Sequence, residues 1–361
     1  MPNRREFLAR SWQKRALPIP EACLENLPAL DADELAWLAT LPDVESRLVF
    51  TVRDGKHTRY RVEHGPFAED ELAALPDRDW TLLVNDVEKH LPELRHLVDV
   101  ASMVPDWRID DLMVSFAAPG GGVGPHRDNY DVFLCQGRGR RRWTYTDANV
   151  RPDPGASSDL ALLRPFDGTK FEAVTGDVLY LPPGIAHWGV AEDACMTYSI
   201  GMRAPRRSEL LGADLEGSDD PFYRDDDLTI DEIRPGYISP QAIARACSLL
   251  ARDGLERADV ALRLGDFVTR PKDWLRADGI EDAVADVGEL RMHGMARFAW
   301  DDQYLYLNGE HRALGPRGAP VAEALCASRE NLPNIDLPAR HPGLFRWLLQ
   351  KGAFEIRPEH A

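Results

Sequence analysis

His126 and Asp128 stand two residues apart at the end of a glycine run, Gly120-Gly121-Gly122-Val123-Gly124-Pro125-His126-Arg127-Asp128. On an extended strand, residues i and i+2 point to one face. The imidazole and the carboxylate can therefore converge on one point. The chain has ten histidines, and only His126 has an acid two residues later. An imidazole and a carboxylate are two-thirds of the 2-His-1-carboxylate set that holds iron(II) with open coordination positions. A lone H-x-D is weak, because a chain rich in acids yields such a pair by chance. The third ligand makes the case. Gly176-Asp177-Val178-Leu179-Tyr180-Leu181-Pro182-Pro183-Gly184-Ile185-Ala186-His187 reads as a strand, a Pro-Gly turn and a histidine. The chain between Asp128 and His187 is long enough for several strands to go round a barrel and return His187 to the first pair. Two histidines that merely cap turns are the plain alternative, but packing alone does not call for all three residues together.

The elements that must position these residues are short and β-rich. From Leu112 to about Arg203, short apolar runs alternate with Gly and Pro turns: Leu112–Phe116, Asp131–Cys135, Arg142–Tyr145, Val178–Leu181 and Met196–Met202. Such spacing predicts a sandwich or small barrel. Ahead of it, residues 4–15 read as a short amphipathic helix. Asp31-Ala32-Asp33-Glu34 caps a second helix. Arg47–Val52 and Thr58–Glu63 form a hairpin about Asp54-Gly55, and Asp79 to Met103 reads as helical. After Pro205, residues 207–236 are dense in acid and read as an exposed linker or loop. Ser239-Pro240 opens a helical region. A hairpin near Arg297–Leu307, with helices near Val321–Arg329 and Leu344–Lys351, has the look of a winged helix.

A chain of 361 residues is long for one domain. Forty-three Lys and Arg against 60 Asp and Glu leave a formal net charge of −17. Such a surface is repelled by nucleic-acid phosphate and suits a basic protein partner. Arg4-Arg5-Glu6-Phe7-Leu8 resembles a twin-arginine export signal, but Arg10, Gln13, Lys14 and Arg15 interrupt the apolar region such a signal needs. No apolar stretch reaches membrane-spanning length. The five cysteines are far apart with no CxxC pair, which fits a reducing, cytoplasmic setting.

The pattern Gly-x5-His-x-Asp followed by Gly-x5-Pro-x-Gly-x2-His resembles the two cupin motifs as JmjC-type oxygenases use them. Trp107–Met113, Gly122–His126, Tyr130–Phe133, Gln136-Gly137, Gly139–Trp143 and Tyr198–Gly201 extend the likeness to the bacterial ribosomal oxygenases, the ribosomal protein L-sixteen arginine 3-hydroxylases. Phe7-Leu8 and Trp12–Arg15 also look like theirs. The likeness is strongest from residue 105 to 205 and weak over the last hundred residues.

The resemblance implies a cupin/JmjC double-stranded β-helix core, mainly β with α. A helical dimerisation region and a winged-helix-like module would follow it. The expected division is 1–205 (core 100–205), 206–290 and 291–361. His126, Asp128 and His187 would hold iron(II), with 2-oxoglutarate and O2 as cosubstrates. The far carboxylate of 2-oxoglutarate needs a cation in a partly dry site, and arginine suits it because its fork holds both oxygens. Of Arg140, Arg141 and Arg142, only Arg141 shares a strand face with Trp143, and the family's 2-oxoglutarate-binding residue matches Arg141. Ser115 is a weaker assistant. Asp111, Met113, Tyr130 and Ser199 match the family's arginine pocket. Asp111 would pair with the guanidinium, Tyr130 would pack on it and Ser199 would hydrogen-bond. The run Pro119–Gly124 would give flexible backbone where a peptide approaches, or simply a tight turn. The implied reaction is hydroxylation at the β-carbon of an arginine in a basic large-subunit ribosomal protein, by a homodimer. Competing readings are a lysine demethylase, a small-molecule cupin that does not use 2-oxoglutarate, and a non-catalytic binding module.

Overall fold

A computed structural model gives the arrangement of the chain. It describes residues 1–361 except 24, 26, 28–29, 56, 156–159, 214, 216–219, 276, 281–288, 329–330 and 357–361. Two compact units result. One comprises residues 1–103 and 109–202, the other residues 104–108 and 203–361.

The first unit is a pair of antiparallel sheets. Helix α1 (Arg4–Arg10) is capped by the Asn3 side chain and leads to β1 (Leu17–Ile19). Helix α2 (Ala32–Leu38) starts at Asp31, which forms a capping box with Glu34. Then come β2 (Ser46–Asp54), β3 (His57–His64), α3 (Glu69–Ala73), β4 (Trp80–Val84) and α4 (Val87–His90). The remaining strands are β5 (Ile109–Ala117), β6 (His126–Arg127), β7 (Val132–Arg138), β8 (Arg141–Thr146), β9 (Thr169–Ala173), β10 (Val178–Leu181), β11 (Ala186–Ala191) and β12 (Cys195–Met202). The larger sheet runs β1-β10-β7-β12-β5-β4-β2-β3, and the smaller β6-β11-β8-β9. The five strands expected between residues 112 and 202 all form, as does the hairpin.

Two expectations in this unit fail. Residues 79–103 are not one helix. Trp80–Val84 pair with β2 and β5 as an interior strand, and Pro92–Ala101 form a 3₁₀ helix that begins at a proline. The first helix ends at Arg10 rather than reaching residue 15. Gln13 takes a positive φ of 53°. Its backbone N–H donates to the Tyr180 hydroxyl at 2.8 Å, and its side-chain amide donates to Asp131 at 2.7 Å. Tyr180 in turn donates to Asp131 at 2.6 Å. Phe7 meets the Tyr180 ring edge-on at 4.9 Å and Trp12 stacks on it at 5.9 Å. This buried knot fastens the N-terminal segment to β10 and to the residue that opens β7.

In the second unit, α5 (Arg207–Leu211), α6 (Pro240–Leu249) and α7 (Arg257–Thr269) are followed by β13 (Leu290–Met292), β14 (Phe298–Trp300), β15 (Tyr304–Leu307) and β16 (Glu310–Ala313). Helices Gly318–Ala327 and Pro342–Gln350 precede β17 (Phe354–Ile356), which pairs with β13. Ser239 caps α6 by accepting from Ala242 N–H at 2.9 Å. The expected hairpin gains a third strand, β16. The acidic segment 207–236 is not simply an exposed linker. Asp225 is buried in an ion pair with the fully buried Arg108, whose guanidinium lies over the Trp107 and Tyr223 rings. Glu232 accepts from both Arg245 and Ser239. A charge buried at this depth needs a partner of opposite sign, so these acids are structural. Asp219 of the acidic segment, and Arg329 at the end of an expected helix, lie outside the described residues.

Candidate metal centre

Pairing of β6 with β11 sets His126 directly opposite His187. Their rings lie 4.1 Å apart, centroid to centroid. Asp128 follows just after β6, and its backbone carbonyl accepts from Gly184 N–H at 2.8 Å. That bond ties the Pro-Gly turn to the first motif. The Asp128 carboxylate oxygens lie 3.9 Å from His126 Nε2 and 3.5 Å from His187 Nε2. One ligand atom from each residue lies within 4.8 Å of the other two. Among the described residues this is the group of three able to hold a metal ion.

Both rings are oriented from behind. His126 Nδ1 is 2.9 Å from the Gly124 carbonyl and His187 Nδ1 is 3.1 Å from the Ile185 carbonyl. A proton on each Nδ1 donates to that carbonyl and leaves Nε2 with a lone pair toward the centre. Burial holds the His187 pKa down, to about 4. The neighbouring His126 contributes to that lowering, while Asp128 and the Ile185 carbonyl oppose it. The ring is therefore neutral near pH 7, the form that binds a metal. Two neutral imidazoles and one carboxylate suit iron(II) and leave positions open.

The glycine run serves packing. A Cβ on Gly121 would stand 2.1 Å from the Trp80 carbonyl oxygen, and one on Gly122 would stand 2.4 Å from that of Gly189. Gly124 has a φ of +82°. Protein backbone stands against Gly121 and Gly122, while Val123 of the same run lines the cavity beside the metal centre.

A cavity of about 340 Å³ opens between the two sheets. All nine residues singled out from the sequence line it: the three putting ligand atoms at the centre, and Asp111, Met113, Ser115, Tyr130, Arg141 and Ser199. Asp111, Met113 and Ser115 share one face of β5, and Met113 pairs across to Ser199. Arg141 is only 4% exposed, and its guanidinium lies over the Trp143 ring at 5.6 Å. Its Nε and one Nη are buried with no hydrogen-bond partner among the described residues. Arg140 and Arg142, by contrast, pair with Asp193 and Glu192 near the surface. Ser115 is buried, and its hydroxyl makes only a long contact, 3.5 Å, to the Thr197 carbonyl. Tyr130 stays 42% exposed. The Asp128 charge raises its pKa, with its surroundings and Asp111 adding to the effect, so the phenol keeps its proton.

Sequence reasoning missed the wall made by β2 and β4. Arg47, Thr81, Leu83 and Asn85 line the same cavity. Thr81, Leu83 and Asn85 alternate along the chain with Leu82 and Val84. Leu82, Leu83 and Val84 are all apolar, so no hydrophobic alternation distinguishes this strand from a helix in the sequence.

Comparison with known proteins agrees with the geometry. Residues 96–210 match the JmjC domain model, and residues 250–332 match that of the ROXA-like winged helix. The ribosomal protein uL16 3-hydroxylase of Escherichia coli (strain K12) is 34% identical over 358 residues, which covers 94% of this chain and 91% of that protein. This chain belongs to the uL16 3-hydroxylase family of ribosomal oxygenases. A solved structure of E. coli YcfD superposes on it with a TM-score of 0.76 at 30% identity, covering 99% of this chain and 98% of that one. Another, of the same ribosomal oxygenase in complex with cobalt and 2-oxoglutarate, gives 0.72 at 31% identity, covering 98% and 97%. The family shares both the JmjC core and the winged-helix end seen here.

Proposed function

We propose that this chain is an iron(II)- and 2-oxoglutarate-dependent hydroxylase that modifies the β-carbon of an arginine in ribosomal protein uL16. The observation that carries the reading is one cavity holding both the His126/Asp128/His187 set and the unpartnered, buried edge of Arg141. Iron(II), held by the three ligands, would supply with 2-oxoglutarate and O2 the oxidising power for inserting oxygen into a C–H bond. The chain's own residues bind and orient. Arg141 offers two free donors to the far carboxylate of 2-oxoglutarate, and a buried site makes a paired charge strong. The Ser115 hydroxyl, weakly engaged, can turn to the same carboxylate. Asp111 supplies the counter-charge for a guanidinium, the exposed phenol of Tyr130 a flat wall, Met113 an apolar wall and Ser199 a hydroxyl. Together they hold the arginine so that its β-carbon faces the metal.

The wall favours arginine over methyl-lysine. Tyr130 and Trp143 are the aromatic side chains among the lining residues, and Trp143 is taken by Arg141. An aromatic cage is not assembled. The acidic surface suits a basic substrate by speeding encounter. A ribosomal substrate favours the cytoplasm as the place of work. The division we propose is 1–205 for catalysis, 206–290 for dimerisation and 291–361 for the winged-helix-like module, although the winged-helix match begins earlier, at residue 250. A sedimentation experiment giving twice the chain mass would support the dimer, and the single mass would overturn it.

The test is coupled turnover. Succinate should form in step with oxygen gain on uL16, and Asp128→Ala should abolish both. Formaldehyde release from a trimethyl-lysine histone peptide would favour the demethylase. Iron-dependent chemistry indifferent to 2-oxoglutarate would favour the small-molecule cupin. Unaltered partner binding by His187→Ala, with no succinate from any source, would favour the binding module.

A further inference from the structure

Arg47 is the half-buried cation on the β2/β4 wall of the cavity. It lies opposite Leu83 of β4, which in turn lies opposite Ser115 of β5. Residues directly opposite one another share a sheet face, so Arg47 points to the same side as Ser115. Its Nε is buried and has no hydrogen-bond partner among the described residues. Buried donors are almost always satisfied, and an orphan asks for a ligand. Its positive charge is felt at the Tyr130 hydroxyl.

No described residue of the cavity accepts from that Nε. Asp128 is turned toward the two imidazoles. Arg127, a cation that cannot accept, leaves its own Nε without a partner among the described residues, although one Nη donates to the Ala148 carbonyl at 3.4 Å. Arg141 is a separate site, on β8 of the other sheet, beside Trp143.

A ligand entering the cavity can bring the acceptor that Arg47 Nε lacks among the described residues. Two ligands share the cavity. The cosubstrate's far carboxylate has Arg141. The peptide's reacting side chain is a cation, which Arg47 repels. What a peptide brings besides its side chain is main-chain carbonyl oxygen.

We propose that Arg47 is a substrate-positioning residue that donates to a main-chain carbonyl of the bound peptide near the target arginine. Its charge also closes that wall to the guanidinium and directs it toward Asp111. This rests on the arginine-hydroxylase reading above.

The test uses the full chain with manganese(II) in place of iron and 2-oxoglutarate, titrated calorimetrically with a uL16 peptide that spans the target arginine. Arg47→Met should weaken peptide binding about tenfold, as losing a hydrogen bond to a charged group does. Arg47→Lys should weaken it less, and 2-oxoglutarate affinity should not move in either. With iron(II), peptide KM should rise more than kcat falls, and more 2-oxoglutarate should be consumed without hydroxylation. Melting curves will show that both variants fold. Unchanged peptide affinity in Arg47→Met would overturn the proposal. A parallel loss of 2-oxoglutarate affinity would also overturn it, because Arg47 would then serve the cosubstrate. If the unaltered protein binds no peptide, the arginine-hydroxylase reading itself fails, and the proposal with it.

Discussion

Replacing Arg141 by methionine should move ligand affinity and stability in opposite directions. Two of its nitrogens are buried with no hydrogen-bond partner among the described residues. A donor left wholly unpaired costs about 1–3 kcal/mol, but water in the open cavity relieves most of that, and the contact with Trp143 contributes about 1 kcal/mol the other way. Methionine has similar reach and no polar atoms. The ligand-free protein should therefore melt at an unchanged temperature or about 2–4 °C higher. The 2-oxoglutarate complex should suffer. Two charge-assisted hydrogen bonds at about 1.5–3 kcal/mol each sum to about 3–6 kcal/mol, or roughly 10²–10⁴ in affinity. The assay is thermal unfolding with manganese(II), with and without 2-oxoglutarate. At a hundredfold excess over Kd the unaltered protein gains about 2.7 kcal/mol, and Arg141→Met should gain less than about 0.5 kcal/mol at that concentration. A ligand-free melting point several degrees lower, with 2-oxoglutarate protection retained, would refute the reasoning and make Arg141 a packing residue.

Other tests address the scaffold and the surface. Burial raises the Glu88 carboxyl above its ordinary 4.5, with Asp86 adding and Lys89 and the Leu112 N–H opposing. An acid with a raised folded pKa takes up protons on folding, so its cost appears as pH rises from the unfolded to the folded value. Glu88→Gln should therefore be more stable than the unaltered protein at about pH 8 and equal to it at about pH 4; urea titrations at both pH values check this. Tyr180→Phe strands the Gln13 N–H and removes a donor from Asp131, so it should cost about 2–3 kcal/mol in chemical denaturation. Activity on whole uL16 should fall with added salt more steeply than activity on a short peptide, given a net charge of −17; equal salt sensitivity would remove steering from the account.

Chemistry was more legible than architecture. His126, Asp128 and His187 declared themselves because each sits in a motif with its own turn signals, and the turns formed as read. Arg141 followed from alternation beside Trp143. The strand Trp80–Val84 did not, because five residues of that type fit a helix or a buried strand equally well. Its pairing with β2 and β5 decides the matter, and that is a tertiary fact. Arg47 was invisible as a cavity residue for the same reason, since its place depends on that pairing. The acids of 207–236 misled because charge density says nothing of a partner far away in sequence. Asp225 is buried only because Arg108, on a distant stretch of chain, supplies the opposite charge.

The most direct measurement is fragmentation mass spectrometry of uL16 after incubation with the protein, iron(II), 2-oxoglutarate and O2. The account predicts one added oxygen on the β-carbon of a single arginine, absent with Asp128→Ala. An oxygen on another residue type, or none while succinate accumulates in a 2-oxoglutarate-dependent way, would contradict it.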